Sequence, residues 1–565
     1  MTRTFNRPVV EERILNLFEE KADSKIFAAC FYGPRVLHNS QREPEMNALI
    51  VIQDYQKKIS SFTNQEMDPN LFFLAIDKKM FESDVEKGKL GDLISNFLSL
   101  PYSSWINPHY FRDMEVKMKK RSISELIENL IFQYPELSDL LLIKPEYFMY
   151  ETMRRKAKLF PPLKYDFAKI FTHKVRKQNV AFIMSGYLAA LKELETENCI
   201  TFSNGYVRIV KDFAKATIQQ RNLVSSMLAS IHRTLLPYIQ SLSLRIRTGY
   251  VQNQKTSTKR SKRAEKDLFK ELEETEKYIL MPSPLGPIPF SDRTTIQDFI
   301  EKTVPGADEL DLRIKEMGGV LNSVFMLRIR KNNETQRIVV KRFENWQGFK
   351  WFPLALWALG TQSFAVSGKK RLEREYSNNE FLRNHGFSVP KILYISIKER
   401  LIFEEFVEGE KLTKVIKRII ATKESTARDG GIIRRIGREI ARAHSLGVTL
   451  GDLKPENILV KEDDEICFLD LEQSSRNGSQ TWDIAEFLYY SGHYIPPIRS
   501  DEAAQLIVTS FLEGYIEEGK GKREVVRKAA SAKYTKIFSV FTLPHIILLI
   551  AGICRKFGKE DTIRD

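Results

Sequence analysis

The sequence predicts a multidomain protein of the α/β plus α+β class, with a small α/β domain first, a helical middle and an α+β domain last. Three observations predict it. The 565 residues suffice for roughly three or four domains. Hydrophobic residues make up 42% and charged residues 28%, so most of the chain can bury cores. Strand-like runs alternate with helical patterns near the start, whereas helical patterns dominate from Ser122 onward.

Composition and charge narrow the class of protein and partner. The net charge of +15 and the pI of about 9.3 favour an anionic partner, such as a nucleotide, a nucleic acid or an anionic membrane surface. The four cysteines are far apart and form no C-x-x-C pair. We therefore expect neither a zinc site nor a disulfide framework, and a reducing, cytoplasmic location. The first eight residues contain no apolar run, so no signal peptide is expected.

One apolar run, residues 537–554, has nearly the length of a membrane span. It contains Ser539, Thr542, Pro544 and His545. A proline and a histidine in mid-span are unfavourable in a bilayer. We therefore expect a buried helix broken near Pro544, and no membrane partner.

Residues 1–118 are expected to form the small α/β domain, because the strand-like runs 25–33, 47–52 and 71–77 are flanked by helical patterns. Residues 119–250 are expected to be mainly helical.

The Asn-Gly pair at 204–205 separates two alternating apolar runs, which is a strong signal for a hairpin. The helical run 180–198 precedes it. A helix that leads into a hairpin resembles a winged-helix unit, which we place near residues 164–211.

Residues 251–289 are expected to be a basic and proline-rich linker. Residues 252–263 contain five Lys and Arg residues and no acid, which is typical of a solvated arm. Residues 281–289 contain four prolines, which disfavour regular structure. We place the main domain boundary here, and the last domain at 290–565.

Nucleic acid is a candidate partner through the basic linker or the hairpin region. The arm at 255–263 and Arg208 could contact phosphates, with protein docking as the alternative use. The helix around Lys192 also carries Glu193, Glu195 and Glu197, which disfavours phosphate contact on that face.

The most informative stretch places Asp452, Lys454 and Asn457 at D-x-K-x-x-N, with Asp470 thirteen residues later. Phosphoryl transfer needs these groups together. Asp452 would orient the attacking hydroxyl and Lys454 would offset charge on the moving phosphoryl group. Asn457 and Asp470 would hold Mg²⁺. The alternative is a turn before a strand, but partners upstream occur in the right order.

Those partners are a glycine turn and a lysine that ends an apolar strand. Gly318 and Gly319 would let backbone N–H groups approach phosphate closely. Lys341 would reach the α- and β-phosphates. By themselves, a G-G pair is more often a hairpin turn and a strand lysine more often faces solvent. The glycine pair and Lys341 support a nucleotide site because they precede the Asp452 motif in the expected order.

A glutamate and a hinge complete the candidate nucleotide site. Glu375 is the residue chosen to pair with Lys341, with Glu373 and Glu380 as rivals. A hinge from Glu405 to Val407 would offer backbone groups to adenine.

With this order of motifs, residues from about 310 to 495 resemble the protein kinase-like superfamily. The resemblance implies a bilobal fold with ATP and Mg²⁺ as cofactors. The departures point to the atypical branch, which includes the kinase of the KEOPS tRNA-modification complex, the RIO kinases, and the lipopolysaccharide and aminoglycoside kinases. Leu450-Gly451-Asp452 stands for H-R-D and Asp470-Leu471-Glu472 for D-F-G.

The acceptor is left open by the sequence. Ten residues, 473–482, separate Glu472 from Asp483, and no A-P-E follows, so a long peptide-docking segment is absent. The Trp482-Asp483 segment resembles the anchoring aspartate of small kinases. The resemblance favours protein serine or threonine as acceptor. The alternatives are a small-molecule or glycolipid kinase, and an ATPase switch in a tRNA-modifying assembly.

Two further segments contain residues that suggest a specific role. Residues 346–357 contain three tryptophans, which would serve as packing against another domain, a substrate platform or a membrane-interface hook. In the first domain, Gly33-Pro34 and then Glu45 and Asn47 resemble the G-S and D-x-D of nucleotidyltransferases, whose carboxylates bind metal ions. Because an amide cannot replace a carboxylate on Mg²⁺, we expect a degenerate relative, with Asp77 as a candidate third acid.

Overall fold

The structure is a computed structural model in which two compact units are described separately. Unit 1 comprises Met1–Met281 and Pro289–Ser291, and unit 2 comprises Pro282–Ile288 and Asp292–Asp565. The described residues are 8, 11–12, 14–16, 25–33, 36–37, 47–63, 72–92, 94–159, 163–171, 175–220, 272–303, 311–316, 323–331, 334–344, 364–421, 427–496, 501–517, 522–539 and 541–559.

Unit 1 begins with a five-stranded sheet in the order β3-β4-β2-β1-β5. Only β2 and β4 pair in parallel, and the other neighbours are antiparallel. The strands are rich in β-branched and aromatic residues, which suit a buried sheet. Its strands are β1 Ile26–Tyr32, β2 Asn47–Ile52, β3 Ile59–Thr63, β4 Phe72–Asp77 and β5 Tyr102–Ile106.

Helices surround this sheet and continue after it. The helix Pro108–Gln133 packs against the helix Arg176–Thr196 at Gly186. Any side chain at position 186 would collide with Glu115 and Lys119 of the first helix. The helices of unit 1 are α1 Lys78–Lys87, α2 Pro108–Gln133, α3 Glu146–Leu159, α4 Leu163–Ile170, α5 Arg176–Thr196 and α6 Lys211–Gln220.

The hairpin predicted at Asn204-Gly205 is confirmed. Strands β7 Ile200–Ser203 and β8 Tyr206–Ile209 pair there, and both turn residues have positive φ, 52° and 80°. Such angles favour asparagine and glycine, which explains the sequence signal. The hairpin belongs to a second sheet in the order β10-β9-β6-β8-β7.

Part of the predicted linker at 251–289 has regular structure. Strand β9, Ile279–Met281, pairs with β6, Leu142–Ile143, and Ile288–Pro289 forms β10. The prolines begin at Pro282, directly after β9, so they do not interrupt this strand. Residues 221–271, which include the basic arm, lie outside the described residues.

Unit 2 has an antiparallel five-stranded sheet in the order β11-β12-β13-β15-β14. Helix α7, Ile296–Thr303, packs Phe299 on Phe403 of this sheet, with ring centroids 4.1 Å apart. Helix α8, Gly368–Asn384, lies between β13 and β14 in sequence. The strands are β11 Asp311–Glu316, β12 Ser323–Lys331, β13 Glu334–Arg342, β14 Ile392–Ser396 and β15 Leu401–Glu405.

The rest of unit 2 is mainly helical, around a large apolar core. Its helices are α9 Leu412–Ala421, α10 Ala427–Ser445, α11 Gln480–His493, α12 Asp501–Glu517, α13 Lys522–Ala529, α14 Ala532–Phe538 and α15 Pro544–Phe557. Short strands carry the loops of the candidate site: β16 Glu410–Lys411, β17 Val448–Thr449, β18 Ile458–Val460, β19 Ile466–Phe468 and β20 Ser475–Arg476.

The apolar run near the carboxyl end is divided between two helices, as predicted. Helix α14 ends at Phe538 and α15 begins at Pro544, with Ile546, Ile550 and Cys554 buried. Within the described ranges, none of the helices is both long and apolar enough to cross a membrane.

Candidate active site

The candidate site is centred on Lys341, which lies near the end of β13. Its side chain is almost fully buried, and its ammonium has three acceptors. Nζ lies 2.7 Å from Oε1 of Glu375, 3.1 Å from Oε1 of Glu404 and 2.7 Å from the carbonyl oxygen of Leu469. The strand lysine therefore faces into the protein and does not point to solvent.

Helix α8 supplies Glu375, the glutamate that the sequence predicts to pair with Lys341. Glu375 is fully buried on the face that meets Lys341. The rivals are placed elsewhere: Glu373 lies 3.9 Å from Lys369, and Glu380 accepts hydrogen bonds from Arg383 at 2.8 and 2.9 Å. The predicted pair is present, and neither rival takes part in it.

Glu404 was not identified from the sequence. Strand β15 pairs with β13 so that Lys341 faces Ile402 and Val339 faces Glu404, which puts Lys341 and Glu404 on one side of the sheet. Oε2 of Glu404 is buried without a hydrogen-bond partner among the described residues. The sequence 401–405 has no apolar–polar alternation that would single out Glu404, and only the register with β13 places it beside Lys341.

The electrostatics of this cluster are dominated by three carboxyl groups around one ammonium. Burial alone would lower the pKa of Lys341, but Glu375, Glu404 and Asp470 outweigh burial and raise that pKa well above its usual value. Burial raises the pKa of Glu375 to about 8, and Asp470 and Glu404 add to the rise although Lys341 opposes it. Three carboxyl groups thus face one ammonium, and a bound cation would favour their charged forms.

The loop after β17 brings Asp452, Lys454 and Asn457 together. Oδ1 of Asp452 lies 2.5 Å from Nζ of Lys454, and Nδ2 of Asn457 donates to Oδ2 of Asp452 at 3.1 Å. Burial by itself would lower the pKa of Lys454, but Asp452 and Glu486 outweigh it and raise this pKa. The ring of Tyr490 lies 5.4 Å from the ammonium. The lysine thus stays charged beside the candidate general base.

Side chains of helix α11 accept hydrogen bonds from the backbone of this loop. Asp483 is fully buried and accepts hydrogen bonds from the backbone N–H groups of Leu450 at 2.6 Å and Gly451 at 2.8 Å. His444 Nε2 lies 2.9 Å from the same carboxylate. Gly451 has φ 75°, a left-handed conformation that favours glycine. The resemblance of Asp483 to an anchoring aspartate is matched by these contacts.

A second carboxylate of α11 extends the anchor. Oε2 of Glu486 accepts from the N–H of Leu453 at 2.8 Å and from the indole N–H of Trp482 at 3.1 Å. Burial and the neighbouring Asp452 raise the pKa of Glu486, although Lys454 opposes the rise. Sequence reasoning missed this residue, whose only signal is its spacing of three from Asp483.

The pairing of β18 with β19, which sets Ile458 opposite Phe468, brings Asn457 beside Leu469, the residue that precedes Asp470. The N–H of Leu469 donates to the carbonyl oxygen of Asn457 at 2.9 Å. Asp470 is only partly buried, and its Oδ1 accepts from the N–H of Glu472 at 3.3 Å.

These donors suit a magnesium ion. Mg²⁺ prefers oxygen ligands, and in phosphate-binding sites it takes one or two protein ligands and phosphate oxygens. No group of three or more His, Cys, Asp or Glu in the described ranges could hold a metal ion. The carboxylate of Asp470 and the amide oxygen of Asn457 are two oxygen donors of the kind that such a metal takes beside nucleotide phosphates.

The remaining nucleotide-site candidates are less fully described. The N–H of Glu405 donates to the carbonyl oxygen of Lys391 at 3.0 Å, so it is used within the sheet. Val407 is half-buried in the connection between β15 and β16. Gly318 and Gly319, and the tryptophan-rich segment 346–357, lie outside the described residues.

The candidate sites of unit 1 are also only partly described. Pro34, Glu45 and the arm at 255–263 lie outside the described residues, whereas Asn47 opens β2. Asp77 caps α1 by accepting from the N–H of Met80 at 3.3 Å, and it accepts from another backbone N–H at 3.0 Å. Its carboxylate is therefore engaged within the fold.

Comparisons with known proteins find similarity to one family model and to several kinase-related proteins. Residues 327–488 match the lipopolysaccharide kinase (Kdo/WaaP) family. The KEOPS complex subunit Bud32 of Pyrococcus abyssi is 28% identical over 105 residues, which are 18% of this chain and 45% of the relative. The EKC/KEOPS complex subunit bud32 of Dictyostelium discoideum is 26% identical over 115 residues, 20% of this chain and 45% of the relative.

A relative of another kind is similar to the same degree. The 3-deoxy-D-manno-octulosonic acid kinase of Vibrio parahaemolyticus is 25% identical over 113 residues, which are 20% of this chain and 47% of the relative. The chain thus spans slightly less than half the length of the curated relatives it matches.

Proposed function

Because residues 327–488 belong to the protein kinase-like superfamily, in its atypical branch, we propose that this chain is an ATP- and Mg²⁺-dependent phosphotransferase that acts on an alcohol group. One observation carries the proposal. Lys341 donates at 2.7 Å to the carbonyl oxygen of Leu469, which directly precedes Asp470. The lysine that would bind the nucleotide phosphates and the aspartate that would bind the metal therefore form one site.

The residues divide the reaction as follows. Lys341, held by Glu375, would bind the α- and β-phosphates, and Gly318 and Gly319, which lie outside the described residues, would offer them backbone N–H groups. Because the N–H of Glu405 is bonded to Lys391, the hinge would offer adenine its backbone groups nearer Val407. These contacts would orient the γ-phosphoryl group for transfer to a hydroxyl beside Asp452.

The transfer itself depends on the loop at 452–457. Asp452 accepts a hydrogen bond from the acceptor hydroxyl and takes its proton as the hydroxyl oxygen attacks the γ-phosphorus of ATP. The bond between that phosphorus and the β–γ bridging oxygen breaks, and ADP leaves. Lys454, 2.5 Å from Asp452, offsets negative charge on the moving phosphoryl group. Asn457 and Asp470 would hold Mg²⁺, which would supply positive charge to offset that of the phosphates.

The proposed acceptor is a serine or threonine hydroxyl of a protein. A small-molecule or glycolipid acceptor is the second candidate, and a specific observation favours it. The segment 473–482 is short and is bonded to its surroundings, as at Asn477, whose N–H donates to the carbonyl oxygen of Gly447 at 2.8 Å. Such a segment offers little length for docking a peptide.

The experiment that tests the function uses the full chain with γ-labelled ATP and Mg²⁺. It is incubated with a protein extract, a metabolite extract and a lipid extract of the native host. Label in protein that is stable at acid pH supports the serine/threonine proposal, and label in a metabolite or lipid supports the second candidate. Label in none of the three, with no ATP hydrolysis, would refute the phosphotransferase proposal.

A third candidate follows from the KEOPS relatives. The chain would be an ATPase switch in a tRNA-modifying assembly, with a winged helix at 164–211 or the basic arm as the RNA contact, and a degenerate nucleotidyltransferase-like domain at 1–118. Salt-sensitive RNA binding that stimulates ATP hydrolysis would support this candidate. Hydrolysis that is the same with and without tRNA at low salt would count against it.

A further inference from the structure

The segment that follows Asp470 is bonded to helix α8 along the length of that helix. Oε2 of Glu375 accepts from the N–H of Leu471 at 2.7 Å. One turn later, Nδ2 of Asn378 donates to Oγ of Ser474 at 2.7 Å. These bonds fix the part of the chain that in many kinases is free to move.

The innermost of these contacts is an ion pair between Arg371 and Glu472. Nη1 of Arg371 lies 3.2 Å from each carboxylate oxygen of Glu472. Both side chains are buried, with 0% and 3% of their surfaces exposed. Arg371 precedes Glu375 by four residues, so the two side chains lie on the same face of α8. Glu472 stands where the glycine of D-F-G would be.

The same guanidinium contacts a third element. Nη2 of Arg371 donates to the carbonyl oxygen of Glu344, which lies two residues beyond the end of β13. Arg371 therefore joins the strand that carries Lys341, the helix that carries Glu375 and the segment that carries Asp470. A fully buried charged side chain is a weak source of net stability, because its desolvation offsets much of the attraction. Its value lies in the geometry that it fixes.

The rest of the segment is also held in place. Strand β20, Ser475–Arg476, pairs with β17, directly before the loop of Asp452. Gln473 exchanges two hydrogen bonds with the backbone of Ala365, at 2.8 and 3.2 Å. Residues 471–477 are thus ordered by contacts within the chain, with no phosphorylated residue needed to order them.

We propose that Arg371 and Glu472 are positioning residues that assemble the site in the resting protein. Their pair holds Lys341, Glu375 and Asp470 in register, in place of the phosphorylated activation segment of other kinases. The proposal rests on the proposed function and deepens it, because it makes the phosphotransferase active without phosphorylation or an activating partner.

The kinetic test compares Arg371→Met, Arg371→Lys and Glu472→Gln with the wild type. We expect Arg371→Met and Glu472→Gln each to lower kcat/KM for ATP roughly tenfold to a hundredfold, as for other residues that orient metal ligands. The double variant should be no worse than the poorer single variant, because both remove one interaction. Arg371→Lys should rescue only in part, since an ammonium cannot make both fork-like contacts.

The matched control is Glu380→Gln, which breaks the pair with Arg383 on the same helix. That variant should keep the kcat and KM of the wild type. If the role of Arg371 were only structural, Arg371→Met would lower the melting temperature but leave kcat and KM unchanged at temperatures well below melting. That result would overturn the proposal.

A second measurement uses only the wild type, so it requires neither a variant that folds nor a known acceptor substrate. Hydrogen exchange of the wild type without nucleotide should show protected amides at Leu471 and Ser474, with little change when MgATP is added. Fast exchange that slows only with MgATP would overturn the proposal. Protection in a protein that neither hydrolyses ATP nor transfers phosphate would refute the proposed function and leave the positioning pair intact.

Discussion

Nζ of Lys341 lies 2.7 Å from the carbonyl oxygen of Leu469, although 128 residues separate the two in sequence. This contact joins the antiparallel sheet of unit 2 to the loop that ends in Asp470. It also fixes the direction of the lysine side chain, because the same ammonium is bonded to Glu375 on α8. Two parts of one unit therefore meet at the position where phosphates would bind.

The first prediction concerns the metal ligand Asp470. We expect Asp470→Asn to lower kcat by roughly a hundredfold or more, because a metal supplies several kcal/mol of charge stabilisation to the transition state. The measurement is phosphate transfer or ATP hydrolysis across a range of Mg²⁺ concentrations. Asp463→Asn, on the exposed turn between β18 and β19, is the control and should match the wild type. Full activity of Asp470→Asn would contradict the metal role.

The second prediction concerns Lys341. Lys341→Met should abolish measurable nucleotide binding and also destabilise unit 2 by roughly 3–5 kcal/mol, because it leaves buried carboxyl groups without their cation. Burial already raises the pKa values of Glu375 and Glu404 in the fold. These groups bind more protons when folded, so the variant should lose further stability as pH rises from about 5 to 8.

The measurement for Lys341 is denaturant unfolding at several pH values, together with binding of a fluorescent ATP analogue. Lys411→Met, at an exposed position of β16, is the control. An Lys341→Met variant with unchanged stability at every pH would show that the three carboxyl groups do not depend on this ammonium.

The third prediction concerns the anchor Asp483. Asp483→Asn replaces an acceptor oxygen by an NH₂ group opposite the N–H donors of Leu450 and Gly451. We expect a loss of roughly 3 kcal/mol in the free energy of unfolding, since buried donors are left unsatisfied. Because the loop of Asp452 loosens, kcat should also fall. Calorimetry and hydrogen exchange of residues 448–457 measure both effects.

The control for the anchor is Glu524→Gln, which removes one partner of an exposed pair with Lys528. Such pairs contribute a few tenths of a kcal/mol, so its melting temperature should hardly change. If Asp483→Asn were as stable and as active as this control, the anchoring role would be wrong.

The fourth prediction concerns a buried lysine of unit 1. Burial lowers the pKa of Lys156 to about 8, although Asp92 opposes the shift. Between pH 8 and 10.5 the unfolded chain binds more protons at this group than the folded chain does. The stability of the wild type should therefore rise with pH in this window, by up to roughly 3 kcal/mol from Lys156.

The measurement for Lys156 is the difference in unfolding free energy between the wild type and Lys156→Met from pH 7 to 10.5. The wild type should gain stability relative to this variant as pH rises, because the charged form of Lys156 is the one that burial disfavours. Lys158→Met, exposed on the same helix, should show no such change. A difference that stays constant with pH would mean that Lys156 is not desolvated.

Much of the local structure follows from patterns that act over a few residues. The hairpin at 204–205 depends on two residues with positive φ, and the break near Pro544 on a residue that lacks a backbone N–H. The kinase-like order of Asp452, Asn457 and Asp470 likewise depends on spacing alone. The strand β9, by contrast, has only three residues, too few for a periodic signal.

The sequence by itself determined which chemistry we propose, because its residue types and their spacing are those that phosphoryl transfer uses. Only the tertiary structure decided which glutamate meets Lys341, that Glu404 joins it, and that Arg371 holds Glu472. These contacts join residues 34 to 101 positions apart, so they depend on strand register and helix packing. Neither of these is written in any local pattern of the chain.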